Sequence, residues 1–394
     1  MGIVYPKNVI KIANILADRG YRAYAVGGCI RDSLMGKLPS DWDMTTDASP
    51  EKMIEIFDSM GIRTIPTGLR HGTVTVLLDG EQYECTTFRI DGSYTDSRHP
   101  DKVIFTQKLA EDLKRRDFTV NAMAADPLLE GEDGEITDLF GGREDIANKV
   151  IRCVGEPCTR FTEDALRILR AVRFATVLDF EICAETKKAA QELGHRLENV
   201  SAERKKAELE KILLSDRANR GISMLCEMGI SKYIHPDIKE PKIDISSLSK
   251  RFAPRLAALF IEGNVVPDLS RLKLSRAEAS EVSLLCDPNM FDHERTPKNA
   301  RYLLSVYGKT APDAALLREK ATLAEIVREE AQKNPCVQIR DLCIGGDHLI
   351  QQGIPSRSIG KIMSRLLCEV IERPENNRED ILIRLAKDIY AKGI

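Results

Sequence analysis

The sequence predicts an α+β protein in which a small mixed sheet is confined to residues 1–142 and the remainder is all helical. Three observations carry this prediction. The apolar run Tyr24-Ala25-Val26 ends in Gly27-Gly28 and passes into helical spacing at Ile30, Leu34 and Met35, the pattern of a strand, a turn and a helix. Two alternating runs, Gly72 to Leu78 and Gln82 to Arg89, flank Asp79-Gly80, a hairpin signature. After Gly141-Gly142-Arg143 no further alternating run stands out, and apolar residues recur at helical intervals.

Taken in order, Asn8 to Leu16 sets Val9, Ile10, Ile12, Ile15 and Leu16 at helical spacing, and Gly20 closes the element. Ser49-Pro50 before Glu51 and Glu55 gives an N-cap, a proline at the first helical position and acids in the opening turns, so a helix is expected from there to near Gly61. The segment Asp91 to Phe105, with Gly92, Tyr94, Asp96, Arg98, His99 and Pro100, reads as an irregular polar loop. A helix then leads into Lys114-Arg115-Arg116-Asp117-Phe118-Thr119-Val120-Asn121-Ala122. Phe161 to Arg173 reads as one helix with Ala165, Ile168, Leu169 and Val172 on its apolar face, and Ser201 to Leu209 as a charged connector. Residues 215–294 show helical periodicity broken at Pro236, Pro241, Pro254, Pro267 and Pro288, without recognisable chemistry. Near the end, Gly345-Gly346-Asp347 and the run from Gly353 to Lys361 point to a helix beginning near Ser358. Its Arg357 and Lys361 suit an RNA phosphate, and a helix–turn–helix packing joint explains the same pattern equally well.

The chemistry concentrates after the first glycine pair. A strand, a Gly-Gly turn and a helix with Arg31 in its first turn bring backbone N–H groups and a cation to one place, which suits phosphate at Gly28 and Arg31. If Asp41-Trp42-Asp43-Met44 is a strand, Asp41 and Asp43 share one face, with the two carboxylates about 7 Å apart. Such a pair repels itself unless a divalent cation lies beside it, and oxygen ligands suit magnesium. Glu84 becomes a third candidate catalytic carboxylate if the hairpin lies beside that strand; a solvent-facing glutamate is the plain alternative. Arg116, followed by Asp117, Thr119 and Asn121, supplies groups able to contact phosphate or ribose. Asp164 and Arg167 read either as an exposed ion pair or as a base reader. Cytosine and adenine both offer an amino donor beside a ring-nitrogen acceptor, so a carboxylate with a guanidinium fits both and rejects uracil and guanine. Arg170 and Arg173 lie further along the polar stripe, where triphosphate or primer backbone would need cations.

Composition narrows the setting. The 394 residues allow two to four domains, and 58 Lys plus Arg against 61 Asp plus Glu leave no global basic field, so a nucleic-acid partner requires a local one. Ten cysteines without a Cys-x-x-Cys pair or zinc-ligand spacing predict reduced, buried thiols. Neither a signal-length apolar core at the N-terminus nor a membrane-length apolar run is present, so a cytoplasmic location without membrane attachment is expected.

Gly27-Gly28-x-x-Arg31-Asp32 followed by Asp41-x-Asp43 resembles the signature of the polymerase beta-type nucleotidyltransferases. With Asp91 to Pro100, Arg115 to Ala122, Glu163-Asp164-x-x-Arg167, Glu203 to Leu209 and the tail from Gly345, the chain resembles one family closely. That family is the class II tRNA nucleotidyltransferases, or CCA-adding enzymes, together with the bacterial poly(A) polymerases. The resemblance implies a seahorse-shaped molecule: a polymerase beta-like catalytic head over 1–142, a base-recognising neck over 143–215, a body over 216–294 and a tRNA-binding tail over 295–394. It implies template-independent addition of C, C and A to tRNA from CTP and ATP, with Mg2+ held by Asp41 and Asp43. It further implies triphosphate at Gly28 and Arg31, nucleotide contact by Arg116, and base selection by Asp164 and Arg167. A poly(A) polymerase or an A-only tRNA nucleotidyltransferase fits the same head. Poly(A) polymerases commonly carry a longer basic C-terminal extension, which disfavours that reading, and an intact Asp91 to Pro100 argues against CC-only addition. A non-catalytic RNA-binding module is the rival from another class, and the crowded acids argue against it. Sequence leaves monomer and homodimer open.

Overall fold

The structure, a computed structural model, describes residues 3–92, 103–129, 136–263, 266–287 and 295–392. Tyr94, Asp96, Arg98, His99, Pro100 and Pro288 lie outside the described residues. The chain divides into two compact units, residues 1–236 with 271–273, and residues 237–270 with 274–394.

The first unit opens with helix α1 (Lys7–Ala17), which buries Val9, Ile12, Ala13 and Leu16, one face at a 3.6-residue period. Strand β1 (Ala23–Val26) runs into α2 (Gly28–Leu34) through Gly27, whose φ of 83° is open to glycine alone at little cost. Strand β2 (Met44–Thr46) precedes α3 (Pro50–Ser59), where the Ser49 hydroxyl accepts from Lys52 N–H and Pro50 takes the first turn. Strands β3 (Thr64–Gly68), β4 (Thr73–Leu78) and β5 (Glu81–Thr87) follow. Asp79 and Gly80 both adopt positive φ in the β4–β5 turn, as a two-residue hairpin of this hand requires. Strands β6 (Arg89–Asp91) and β7 (Val103–Phe105) pair with one another, so Val103 to Phe105 is strand where an irregular loop was expected. Helix α4 (Leu109–Lys114), β8 (Met123–Ala125) and β9 (Ile136–Asp138) complete the sheet region.

Among the described residues the main sheet has the order β3-β4-β5-β2-β1-β8-β9, and its one parallel pair joins β2 to β5. One face carries the core, with Ala25, Met44, Val74, Val76 and Cys85 packed beneath α1 and α3. The opposite face is polar: Thr67 bonds Thr75 and Thr73 bonds Thr86 through their hydroxyls. Where α4 covers that face, Leu113 packs on Val26 and Ala124.

The rest of the unit is helical: α5 (Gly142–Ala147), α6 (Pro157–Glu163), α7 (Leu166–Leu178), α8 (Ala184–Leu193), α9 (Ala202–Leu213) and α10 (Ala218–Glu227). A two-residue pair, β10 (Val150–Ile151) with β11 (Glu181–Ile182), escaped the alternation test because two residues are too short to show it. Helix α7 lies against α9 and α10 and is buried along most of its length.

The second unit contains α11 (Phe252–Ala257), α12 (Arg276–Cys286), α13 (Pro297–Tyr307), α14 (Ala311–Leu316), α15 (Ala321–Gln332), α16 (Gly346–Gln351), α17 (Ser356–Glu372) and α18 (Glu379–Ala391). Helix α17 begins at Ser356, just ahead of the expected start, with Pro355 as its N-cap. Gly346 lets α16 close on Ile359 of α17, where a Cβ would stand 3.2 Å from Cγ2. No disulfide joins the cysteines, and Cys343 and Cys368 are exposed where buried thiols were expected. Among the described residues, no helix is long and apolar enough to cross a membrane.

Candidate active site

Asp41 and Asp43 are not in a strand; they occupy the extended run just before β2, because paired strand structure starts at Met44. The shared face survives this correction. Trp42 and Met44 are buried while Asp41 and Asp43 are exposed, and the Asp43 carbonyl still accepts from Val26 N–H at 3.0 Å. In the parallel register Met44 stands opposite Cys85, so the residues just before them, Asp43 and Glu84, point together away from the core. Burial, then the charges of Asp41 and Glu84, push the Asp43 carboxyl up to about 6, against the opposing pull of Arg116. Asp43 nevertheless reaches solvent. Asp41 also accepts from the Ser40 hydroxyl at 3.0 Å.

Among the described residues no three His, Cys, Asp or Glu side chains already converge as a metal cage. The donors nevertheless fit a hard cation. All three are carboxylates on the polar face at the central strands, and the charges of Asp41 and Glu84 add to burial in raising Asp43.

Beside the acids stands the glycine turn. A Cβ on Gly27 would lie 3.1 Å from Arg116 Nη1, and one on Gly28 would lie 3.6 Å from Arg31 Nη2. Arg31 is held by Asp32 and donates to Asn121 Oδ1 at 2.6 Å. Arg116 donates to Asp112 at 3.4 Å, and its Nε is buried without a hydrogen-bond partner. Asp117, Thr119 and Asn121, expected to face ligand, are committed to the protein, bonding Arg170, Asp145 and Arg31 respectively.

Phe161 to Arg173 is not one helix, since α6 ends and α7 begins around an extended Asp164, with φ −144° and ψ 105°. The Asp164 carboxylate accepts from Leu166 N–H at 3.0 Å, a local bond that competes with the helical ladder and stops it. Asp164 and Arg167 do not pair with each other. Asp164 is bound by Arg204 of α9 at 2.7 Å, and Arg167 by Glu163 at 2.5 Å, with further bonds to the carbonyls of Arg160 and Arg115. Nor is Arg167 on a solvated stripe; it is 9% exposed, because packed residues cover both sides of α7.

Arg170 pairs with Asp117 at 2.6 Å and Arg173 with Glu208 at 2.5 Å. The Asp117 charge raises the Arg170 value, whereas burial lowers that of Arg173. Burial pushes Asp117 up, yet Arg170 and Arg167 together hold it below its ordinary value. The guanidinium carbons of Arg31, Arg170 and Arg173 stand 5.5, 5.4 and 4.0 Å from the centre of the Phe174 ring. Three like charges thus share one aromatic platform.

Two family models match the chain: the one described as Poly A polymerase head domain over residues 23–152, and Probable RNA and SrmB- binding site of polymerase A over 179–241. The CCA-adding enzyme of Leuconostoc citreum is 38% identical over 95% of this chain and 94% of its own length. That of Enterococcus faecalis is 34% identical over 98% and 97%. The chain belongs to the CCA-adding enzyme family. A crystal structure of the CCA-adding enzyme of Bacillus stearothermophilus in complex with CTP matches with a TM-score of 0.81 at 30% identity, covering 99% of each chain. The CCA-adding enzyme of Thermotoga maritima, complexed with tRNA_CCA, shares the fold at a TM-score of 0.71 and 20% identity. As a family member the chain is a nucleotidyltransferase, and such enzymes generally depend on metal.

Reading the sequence missed Asp112 and Phe174, and it placed Glu163, Arg204 and Glu208 in motifs without giving them a role. Ser201 to Leu209 was expected to be a connector, yet its Arg204 and Glu208 balance Asp164 and Arg173. The spacing of Arg204 and Glu208, one helical turn apart, was the available signal.

Proposed function

We infer that this chain adds C, C and A to the 3′ end of tRNA, using CTP and ATP and releasing pyrophosphate, without a nucleic-acid template. The observation that carries the reading is the gathering of Asp41, Asp43 and Glu84 on the polar face of the two central strands, near Arg116 and the Gly27–Gly28 turn, in a chain akin to CCA-adding enzymes over nearly its whole length. Asp41 and Asp43 hold Mg2+, and Glu84 is the third catalytic carboxylate. Gly28, Arg31 and Arg116 hold the triphosphate, and the unpartnered Nε of Arg116 supports its part. Arg170 and Arg173 complete the nucleotide-binding set against the Phe174 ring, with Asp117 and Glu208 balancing their charges. When bound, magnesium supplies charge neutralisation on the phosphate oxygens and lowers the pKa of the primer hydroxyl. The carboxylates orient the primer 3′-hydroxyl for in-line attack on the α-phosphate, and the arginines steady the departing pyrophosphate.

Base choice falls to Asp164 and Arg167. Arg204 holds the acceptor carboxylate and Glu163 the donor guanidinium, so the protein sets the two groups in separate places for the two edges of cytosine or adenine. Residues 1–142 form the catalytic head, 143–215 the neck, 216–294 the body and 295–394 a tail that grips tRNA. The protein works in the cytoplasm as a monomer or homodimer.

The deciding assay offers tRNA ending at the discriminator base, at C or at CC to each labelled nucleotide and reads product length. Three ordered additions support the reading. Extension of the CC-ending substrate alone would assign A-only addition, and unlimited A tracts would assign a poly(A) polymerase. Asp41→Ala should abolish incorporation while tRNA binding persists, and unchanged turnover dismisses the metal-binding role. Arg167→Ala should admit UTP or GTP in competition with CTP and ATP; undisturbed base choice counts against the base reader.

A further inference from the structure

Asp112 is fully buried on α4, the helix that covers the polar face of the sheet. Its Oδ1 accepts from Arg115 Nε at 2.9 Å and from Arg89 N–H at 3.3 Å. Its Oδ2 accepts from the Thr45 hydroxyl and from Arg116 Nη2, both at 3.4 Å. Burial pushes this carboxyl up, but Arg115 and Arg116 beside it bring it below its ordinary value, so it stays charged.

One guanidinium is enough to neutralise one buried carboxylate, and Arg115 already does so with two nitrogens. Arg116 is used differently. A single nitrogen of its fork is anchored on Asp112; Nη1 reaches the Gly27 turn, Nε lies buried without a partner, and its charge is felt at Asp43. A rigid planar fork held at one corner presents its other donors in fixed directions. The anchor also reaches the base reader, because the carbonyl of Arg115 accepts from Arg167 Nη2 at 3.2 Å.

We propose that Asp112 is a positioning residue for nucleotide binding, holding Arg116 from behind so that its free donors meet the triphosphate, and fixing the turn on which Arg167 rests. The inference rests on the triphosphate role of Arg116 given above.

The test compares D112N, R116A, R116K and the double variant D112N/R116A in single-nucleotide incorporation with CTP and with ATP. D112N should raise KM for both nucleotides about tenfold while kcat stays within about threefold, the split left by lost ground-state positioning. The double variant should bind no worse than R116A, because the two residues act as one unit. R116K should resemble R116A, since an ammonium cannot hold Asp112 at one corner and phosphate at others. Unchanged KM values in D112N, losses that multiply in the double variant, or a wild-type R116K would each overturn the proposal. R116K leaves the buried carboxylate intact, so it decides the question even if D112N does not fold. An unchanged KM in R116A removes the triphosphate role itself and this inference with it, a failure recognised without touching Asp112.

Discussion

A carboxylate that is desolvated and then crowded by two others carries its own pH signature. Asp43 ordinarily titrates at 3.8 and in the folded chain is pushed up to about 6. For an acid raised on folding, the stabilising contribution is complete below the unfolded value and is lost as pH rises through the folded one. Metal-free protein should therefore gain melting temperature from Asp43→Asn at about pH 7, and the gain should vanish near pH 4. Thermal scans at both values check this, and a difference that ignores pH would refute the raised value of Asp43. Adding Mg2+ at about pH 7 should stabilise the parent and not the variant, because a ligand raises the stability of the state that binds it. At this scale the acids were legible from their spacing, whereas the partners of Asp164 and Arg167 were not. Glu163 and Arg204 compete for them, and a sequence does not rank four neighbouring charges by distance.

Between elements, close approach sets the energetics. Gly221 of α10 faces Thr176 of α7 and Ile212 of α9, where a Cβ would come within 2.5 and 2.6 Å. Gly221→Ala should cost about 1–3 kcal/mol through overpacking, read as a lowered urea midpoint with an unchanged slope. The buried Glu208 ties α9 to α7 through Arg173, so Glu208→Ala leaves that arginine uncompensated and should cost about 3 kcal/mol by the same measurement. A loss below about 0.5 kcal/mol would place the pair among exposed bridges of little consequence. Helix existence was readable from periodicity. The break at Asp164 was not, because Ala165, Ile168, Leu169 and Val172 keep helical spacing and the interruption comes from one side chain bonding Leu166 N–H.

Across the whole molecule, net charge of −3 gives RNA no general attraction, so binding must draw on local cations. Arg357, Lys361 and Arg365 are exposed at four-residue steps along α17. If they meet tRNA phosphates, neutralising Arg357 and Lys361 should flatten the plot of log affinity against log salt by about 1.5, at about 0.7–0.9 per phosphate. Filter binding across a salt series measures it, and an unchanged slope would leave α17 as a packing helix.

The sequence by itself determined the catalytic class, because glycines that permit a tight turn and acids alternating with Trp42 and Met44 are local properties, written in adjacent residues. It determined the hairpin and most helices for the same reason. Tertiary structure alone decided that Glu84 lies beside Asp43, since the parallel pairing of β2 with β5 joins segments some forty residues apart. It alone decided that Asp117 holds Arg170 and Glu208 holds Arg173, pairs joining distant segments through proximity and low dielectric that no short stretch of chain encodes.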